Sequence, residues 1–137
     1  MELLLATRSA HKVQEIRTIL SGIPRLAVLD LDDIGLEWRD EEEALEPFDT
    51  FEENARSKAE YFHARTGLPT VADDSGLEVD ALGGAPGVRS KRFAPVEGLT
   101  GHKLDQANNN YLVERLGALE LEKRTGQYVC TAALLGF

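Results

Sequence analysis

The sequence predicts an α/β domain with a mixed sheet, and three observations carry that prediction. Short apolar, strand-like runs alternate with amphipathic helical stretches. Capping residues and Gly or Pro breakers punctuate the helices. No internal repeat or low-complexity linker interrupts this order, so residues 1–137 read as one domain. A domain of 137 residues can bury a core without disulfides or a structural metal.

Taken in order, Leu3 to Ala6 is a short buried strand. Residues 7–12 lead into a helix whose predicted apolar face is Val13, Ile16, Ile19 and Leu20; Thr7 or Ser9 caps it, and Gly22 and Pro24 stop it. Residues 26–31 predict a second strand. The strongly acidic stretch 37–46 reads as a solvated, charged loop. Thr50-Phe51-Glu52-Glu53 is a capping-box pattern, and the helix it opens carries Phe51, Ala55, Ala59 and Phe62 on one face before ending near Gly67 and Pro69. A strand over 70–74, a turn, and a further strand over 77–79 follow. Residues 83–87, rich in Gly and Pro, are a loop able to approach a ligand closely. Thr100 caps a third helix with Leu104, Ala107, Tyr111 and Leu116 on its face, and residues 127–137 are strand-like.

Composition narrows the function. The chain is 42% hydrophobic and 28% charged, as expected of a soluble globular protein. Its formal net charge of -9 argues against a nucleic-acid polymer as partner, because a phosphate backbone needs a basic surface. A single nucleotide is compatible, since a few local cations and Mg²⁺ can meet its phosphates. Cys130 is the sole cysteine, which fits a reducing compartment; its apolar surroundings predict a packed core thiol rather than a nucleophile. No apolar run approaches membrane-spanning length, and the N-terminus has no basic region or signal-length apolar segment. A cytoplasmic protein without membrane association is the expectation.

The segment Thr70-Val71-Ala72-Asp73-Asp74-Ser75-Gly76 offers the chemistry. Two carboxylates at the mouth of a strand can hold Mg²⁺ and activate water, and the hydroxyl and glycine let phosphate oxygens approach. Taken alone, the same residues read as an Asx-type turn. At Thr7-Arg8-Ser9-Ala10-His11-Lys12 a strand meets a helix N-terminus, whose N–H groups and dipole attract anions, with hydroxyls and cations alongside. Taken alone, that is helix capping plus surface charge, and it is not a glycine-rich P-loop. Lys58, with Glu53 and Asn54, and the basic run Arg89-Ser90-Lys91-Arg92 are further candidates, each also readable as surface charge. His11, His63 and His102 show no zinc-site spacing, and no Gly-x-Ser-x-Gly elbow is present.

Together these motifs resemble the Ham1/inosine triphosphatase family of pyrophosphatases acting on non-standard purine nucleoside triphosphates. The matching residues are Ala6 to Lys12 with Glu15, Thr50 to Ala55 with Lys58 and Ala59, Ala72 to Leu77, and Val79 to Val88 with Ser90 and Arg92 to Ala94. The resemblance implies an elongated mixed β-sheet with flanking helices and an active site in a cleft between lobes. It implies Mg²⁺-dependent cleavage between the α and β phosphates of ITP, dITP or XTP, giving the monophosphate and pyrophosphate, and a homodimer. By position, Asp74 corresponds to the general base and a metal ligand, with Asp73 and Glu46 as helpers at the metal. Thr7, Arg8, Ser9, Ala10, His11, Lys12 and Lys58 correspond to triphosphate-binding positions, and Ser75 and Arg92 to further substrate contacts.

The chain departs from the family pattern twice. Ser9 stands where the family usually carries Asn, offering a shorter reach and one hydroxyl instead of an amide. The Phe-Gly-Tyr-Asp-Pro and Ser-His-Arg blocks, which supply most of the purine pocket, are absent, so the sequence reads as a family domain lacking its C-terminal third. A non-catalytic Mg²⁺-nucleotide binder and a phosphohydrolase working through a phospho-aspartate are the alternatives. Without those blocks, the 137-residue chain should hydrolyse dITP and dATP with similar kcat/KM; strong preference for dITP in parallel rate measurements would contradict this.

Overall fold

A computed structural model describes all of residues 1–137. Strand β1 (Glu2–Leu5) is followed by helix α1 (Ala10–Leu20), strand β2 (Ala27–Leu29), helix α2 (Phe51–Thr66), strand β3 (Thr70–Val79), helix α3 (Gly101–Leu116) and strand β4 (Gly126–Leu135). The sheet order is β2-β1-β3-β4. β1 pairs in parallel with β2, Leu3 against Val28, and with β3, Leu5 against Val71. Gly126 lies against Glu78 and Gly136 against Pro69, so β4 runs antiparallel to β3 and the sheet is mixed, as expected.

The chain divides into two compact units, one of Met1–Asp74 with Thr131–Phe137, the other of Ser75–Cys130. In the first, Leu3, Leu4 and Leu5 are all buried, as a parallel strand covered on both faces requires. The first crossover runs from β1 to β2 through α1, and the second returns in the opposite direction, from β2 past β1 to β3 through α2. Right-handed connections therefore set α1 and α2 on opposite faces of the sheet. Leu4, Ala6 and Ala72 form a core with Ala59 and Phe62 of α2, closed by Leu31.

Caps explain where the helices begin. Ser9 accepts from the Lys12 N–H, and Thr50 accepts from the Glu53 N–H while its hydroxyl donates to the Glu53 carboxylate. α2 ends at Gly67, whose φ of 70° is left-handed. In the second unit, buried Asn108 accepts from the Ala94 N–H and donates to the Lys91 carbonyl, tying the 3₁₀ turn Gly87–Arg92 to α3. Arg115 stacks over Phe93 and Tyr111 beside it.

Five expectations need correction. The predicted turn after Asp74 does not form: β3 runs unbroken through Asp73-Asp74-Ser75-Gly76. On α1 only Val13 is buried, and Ile19 is 76% exposed, because the short β2 leaves that helix face uncovered. The acidic loop contains the 3₁₀ turn Asp40–Ala44 with Glu42 buried in it. Thr100 sits at the N-cap of α3 without a side-chain capping bond. Cys130 is exposed, on the open side of the alternating strand β4. No helix is long and apolar enough to cross a membrane.

Phe62 is 2% exposed at the centre of the first unit's core. Phe62→Ala should lower unfolding stability by about 3–5 kcal/mol, measured by urea titration.

Candidate active site

β3 extends past its pairing with β1, which ends at Val71, while the β1 chain turns away after Ala6 into α1. The residues that follow therefore lie outside the carboxyl ends of two parallel strands whose onward connections diverge, β1 to β2 and β3 to β4. In open α/β sheets this topological switch point is where ligands bind. Asp73 and Asp74 occupy it from β3, and residues 7–12 occupy it from β1.

Successive strand residues point to opposite faces, so the two aspartates face different helices. Asp73 receives the Lys12 ammonium of α1 at 2.6 Å. Asp74 accepts at Oδ2 from Nδ2 of Asn54 on α2, at 3.0 Å. Both aspartates are buried, and Asn54 is wholly so. One helical turn beyond Asn54, Lys58 reaches Glu46 at 2.5 Å. Three expected carboxylates and both expected lysines thus fall within the first unit, each carboxylate already engaged.

The loop at residues 7–9 is locally knitted. Thr7 Oγ1 accepts from the Ser9 N–H at 3.2 Å, and Ser9 Oγ accepts from the Lys12 N–H at 3.4 Å. Serine therefore fills the capping role that asparagine also can. His11 is almost fully exposed beside Glu15. Arg8 turns inward: Nε and Nη2 donate to the two oxygens of Glu42, Nη1 donates to the Leu36 carbonyl, and the guanidinium stacks on the Phe62 ring at 5.9 Å. The hydrogen bond to Glu42 holds Arg8 above its ordinary pKa despite partial desolvation. Next to that pair, burial and then its bond to Glu41 raise the Tyr61 phenol. A cavity of about 300 Å³ opens beside the loop, walled by Thr7, Arg8, Ala10, Gln14, Asp30 and Asp32 among others, and not by Lys12, Asp73 or Asp74.

Ser75 and Arg92 belong to the second unit: Ser75 is half-buried on β3, and Arg92 is exposed at the end of the 3₁₀ turn. Nearby, Ser90 accepts from the Leu77 N–H and donates to the Gly87 carbonyl. The sequence singles out Asn54 beside Lys58, but not Glu42, which is one of three consecutive glutamates with nothing to distinguish it.

A capped helix N-terminus with hydroxyls and a lysine thus lies beside buried carboxylates at the carboxyl ends of the parallel strands of an α/β domain. The chain belongs to the Ham1 family, whose pattern matches residues 3–136. It is 44% identical over 132 residues to the dITP/XTP pyrophosphatase of Geobacter sulfurreducens, covering 96% of this chain and 61% of that protein. It is 42% identical over 135 residues to the dITP/XTP pyrophosphatase of Frankia alni, covering 98% and 64%. A HAM1 protein from Coxiella burnetii matches with a TM-score of 0.79 at 30% identity, over 99% of this chain and 64% of that one. A nucleoside-triphosphatase/dITP/XTP pyrophosphatase from Mycobacterium abscessus matches with a TM-score of 0.71 at 36% identity, over 98% and 65%. The chain spans about three fifths of the length of the curated relatives it matches.

The Glu42 side chain is only 3% exposed. Arg8→Ala leaves that carboxylate without its cation and should cost roughly 3 kcal/mol, whereas the double change Arg8→Met with Glu42→Met should recover most of the loss. Urea unfolding of the variants checks both values.

Proposed function

We propose that this chain carries the phosphate-cleaving site of a Mg²⁺-dependent pyrophosphatase that converts ITP, dITP or XTP to the monophosphate and pyrophosphate. The observation that carries the reading is a buried carboxylate, Asp74, at a switch point flanked by a capped helix N-terminus and two lysines. The names of the relatives supply the substrate class.

In this reading the triphosphate lies against residues 7–12. The N–H groups of Ala10 and His11 are among those a helix leaves without intrahelical partners, and the helix dipole adds to their attraction for phosphate. Thr7 and Ser9 contribute hydroxyls. Asp74 takes a proton from the water that attacks the α-phosphorus. As that P–O bond forms, the bond from the α-phosphorus to the bridging oxygen breaks, and pyrophosphate leaves with the charge. Lys12 and Lys58 stabilise that departing charge.

Of Asp74, Glu46 and Asp73, one or two would hold Mg²⁺, since the three do not converge as a group. Their hard carboxylate oxygens suit it, and water and substrate phosphate would complete its shell. When bound, it neutralises phosphate charge and orients the attacking water. A homodimeric, cytoplasmic protein is part of the same proposal, checked by sedimentation and by cell fractionation.

With Mg²⁺ and dITP, ³¹P NMR should show pyrophosphate as the first phosphorus product, and Asp74→Asn should lower kcat about 10²–10⁴-fold. Orthophosphate as the first product, or nucleotide binding without turnover, would overturn the reading.

A further inference from the structure

Asn54 is wholly buried on α2, and its amide makes three hydrogen bonds that meet at one place. Nδ2 donates to Asp74 Oδ2 at 3.0 Å and to the Phe48 carbonyl at 3.2 Å, while Oδ1 accepts from the Phe48 N–H at 2.9 Å. Both amide protons and the carbonyl are therefore engaged. Phe48 lies two residues after Glu46, whose carboxylate Lys58 holds one turn further along the same helix. Asn54 thus ties the strand that carries Asp74 to the segment that carries Glu46.

We propose that Asn54 is a positioning residue for the cleavage reaction: its amide orients the Asp74 carboxylate and fixes where that carboxylate stands relative to Glu46. The inference rests on the pyrophosphatase reading. A residue that only braced Phe48 would use its acceptor and one N–H and would need nothing aimed at Asp74. Here one N–H is committed to the carboxylate in a dry site, where such a bond holds orientation strongly. Asn54 reaches the reaction through Asp74, so it should act on turnover rather than on substrate affinity.

Two substitutions test the bond to Asp74. Asn54→Asp keeps the shape and the acceptor for the Phe48 N–H but removes both donors and sets a second carboxylate beside Asp74, whereas Asn54→Leu removes all three bonds without adding charge. Measured well below each variant's Tm, both should lose at least tenfold in kcat for pyrophosphate release from dITP, with KM held within threefold. Wild-type kcat in Asn54→Asp, or a raised KM at unchanged kcat in either variant, would overturn the proposal. A second readout needs neither variant to fold nor the enzyme to turn over. Asp74→Asn should move the Asn54 side-chain amide resonances in ¹⁵N NMR further than those of Asn108, Asn109 and Asn110. Unmoved resonances would sink the link even if dITP is hydrolysed; moved resonances in a protein that does not hydrolyse dITP would place the failure in the functional reading instead.

Discussion

The two-residue period of β3, acting where β1 has already ended, is the constraint on which the candidate site depends. Two aspartates adjacent in sequence cannot face the same way in a strand, so one is delivered to each helix flanking the sheet. Asp73 meets Lys12 and Asp74 meets Asn54. A turn at this point would have released both carboxylates to solvent or to their own backbone. Their external partners decide the matter: Asp favours turns because it can bond neighbouring backbone groups, and here a lysine and an amide take that capacity instead. The strand and the site stabilise one another.

Electrostatically, the first unit reconciles an acidic chain with the anionic ligand proposed for it by pairing its charges locally. The formal charge of -9 is a property of the whole sequence, whereas a phosphate feels mainly what lies within a Debye length. At the switch point that neighbourhood holds a helix N-terminus and two lysines, each lysine neutralised by a carboxylate it already touches. The Arg8–Glu42 pair works differently. Bidentate, half-covered and stacked on Phe62, it secures the acidic 3₁₀ turn to the loop before α1. Charge in that turn is thus divided between an exposed rim and one buried, compensated carboxylate.

The contrast between what the sequence disclosed and what it withheld follows from the range of the interactions involved. Helix starts at Ser9 and Thr50 were legible because a cap is local, reaching only to Lys12 and Glu53. The alternation of strands and helices was legible for the same reason. The continuity of β3 was not, since it depends on Lys12 and Asn54, 61 and 20 residues away along the chain. Nor was the burial of Glu42, which depends on Arg8, 34 residues earlier. Ile19 and Cys130 followed apolar patterns faithfully, and it was the extent of the covering strands that left them exposed.

The paired charges carry one more consequence for the proposed reaction. Lys12 cannot bind phosphate fully while it holds Asp73, nor can Lys58 while it holds Glu46. An arriving triphosphate draws the lysines away, and each carboxylate so released then needs a cation. In the proposed reaction Mg²⁺ would be that cation, and by meeting the carboxylates it would lower the cost of releasing the lysines to the substrate. Binding of triphosphate and of metal would then be mutually favourable through an exchange of partners, with the coupling equal in both directions by linkage. Asp74 stands apart from this exchange because its partner is a neutral amide, which need not follow the phosphate. The carboxylate assigned to the proton stays in place while the others change hands.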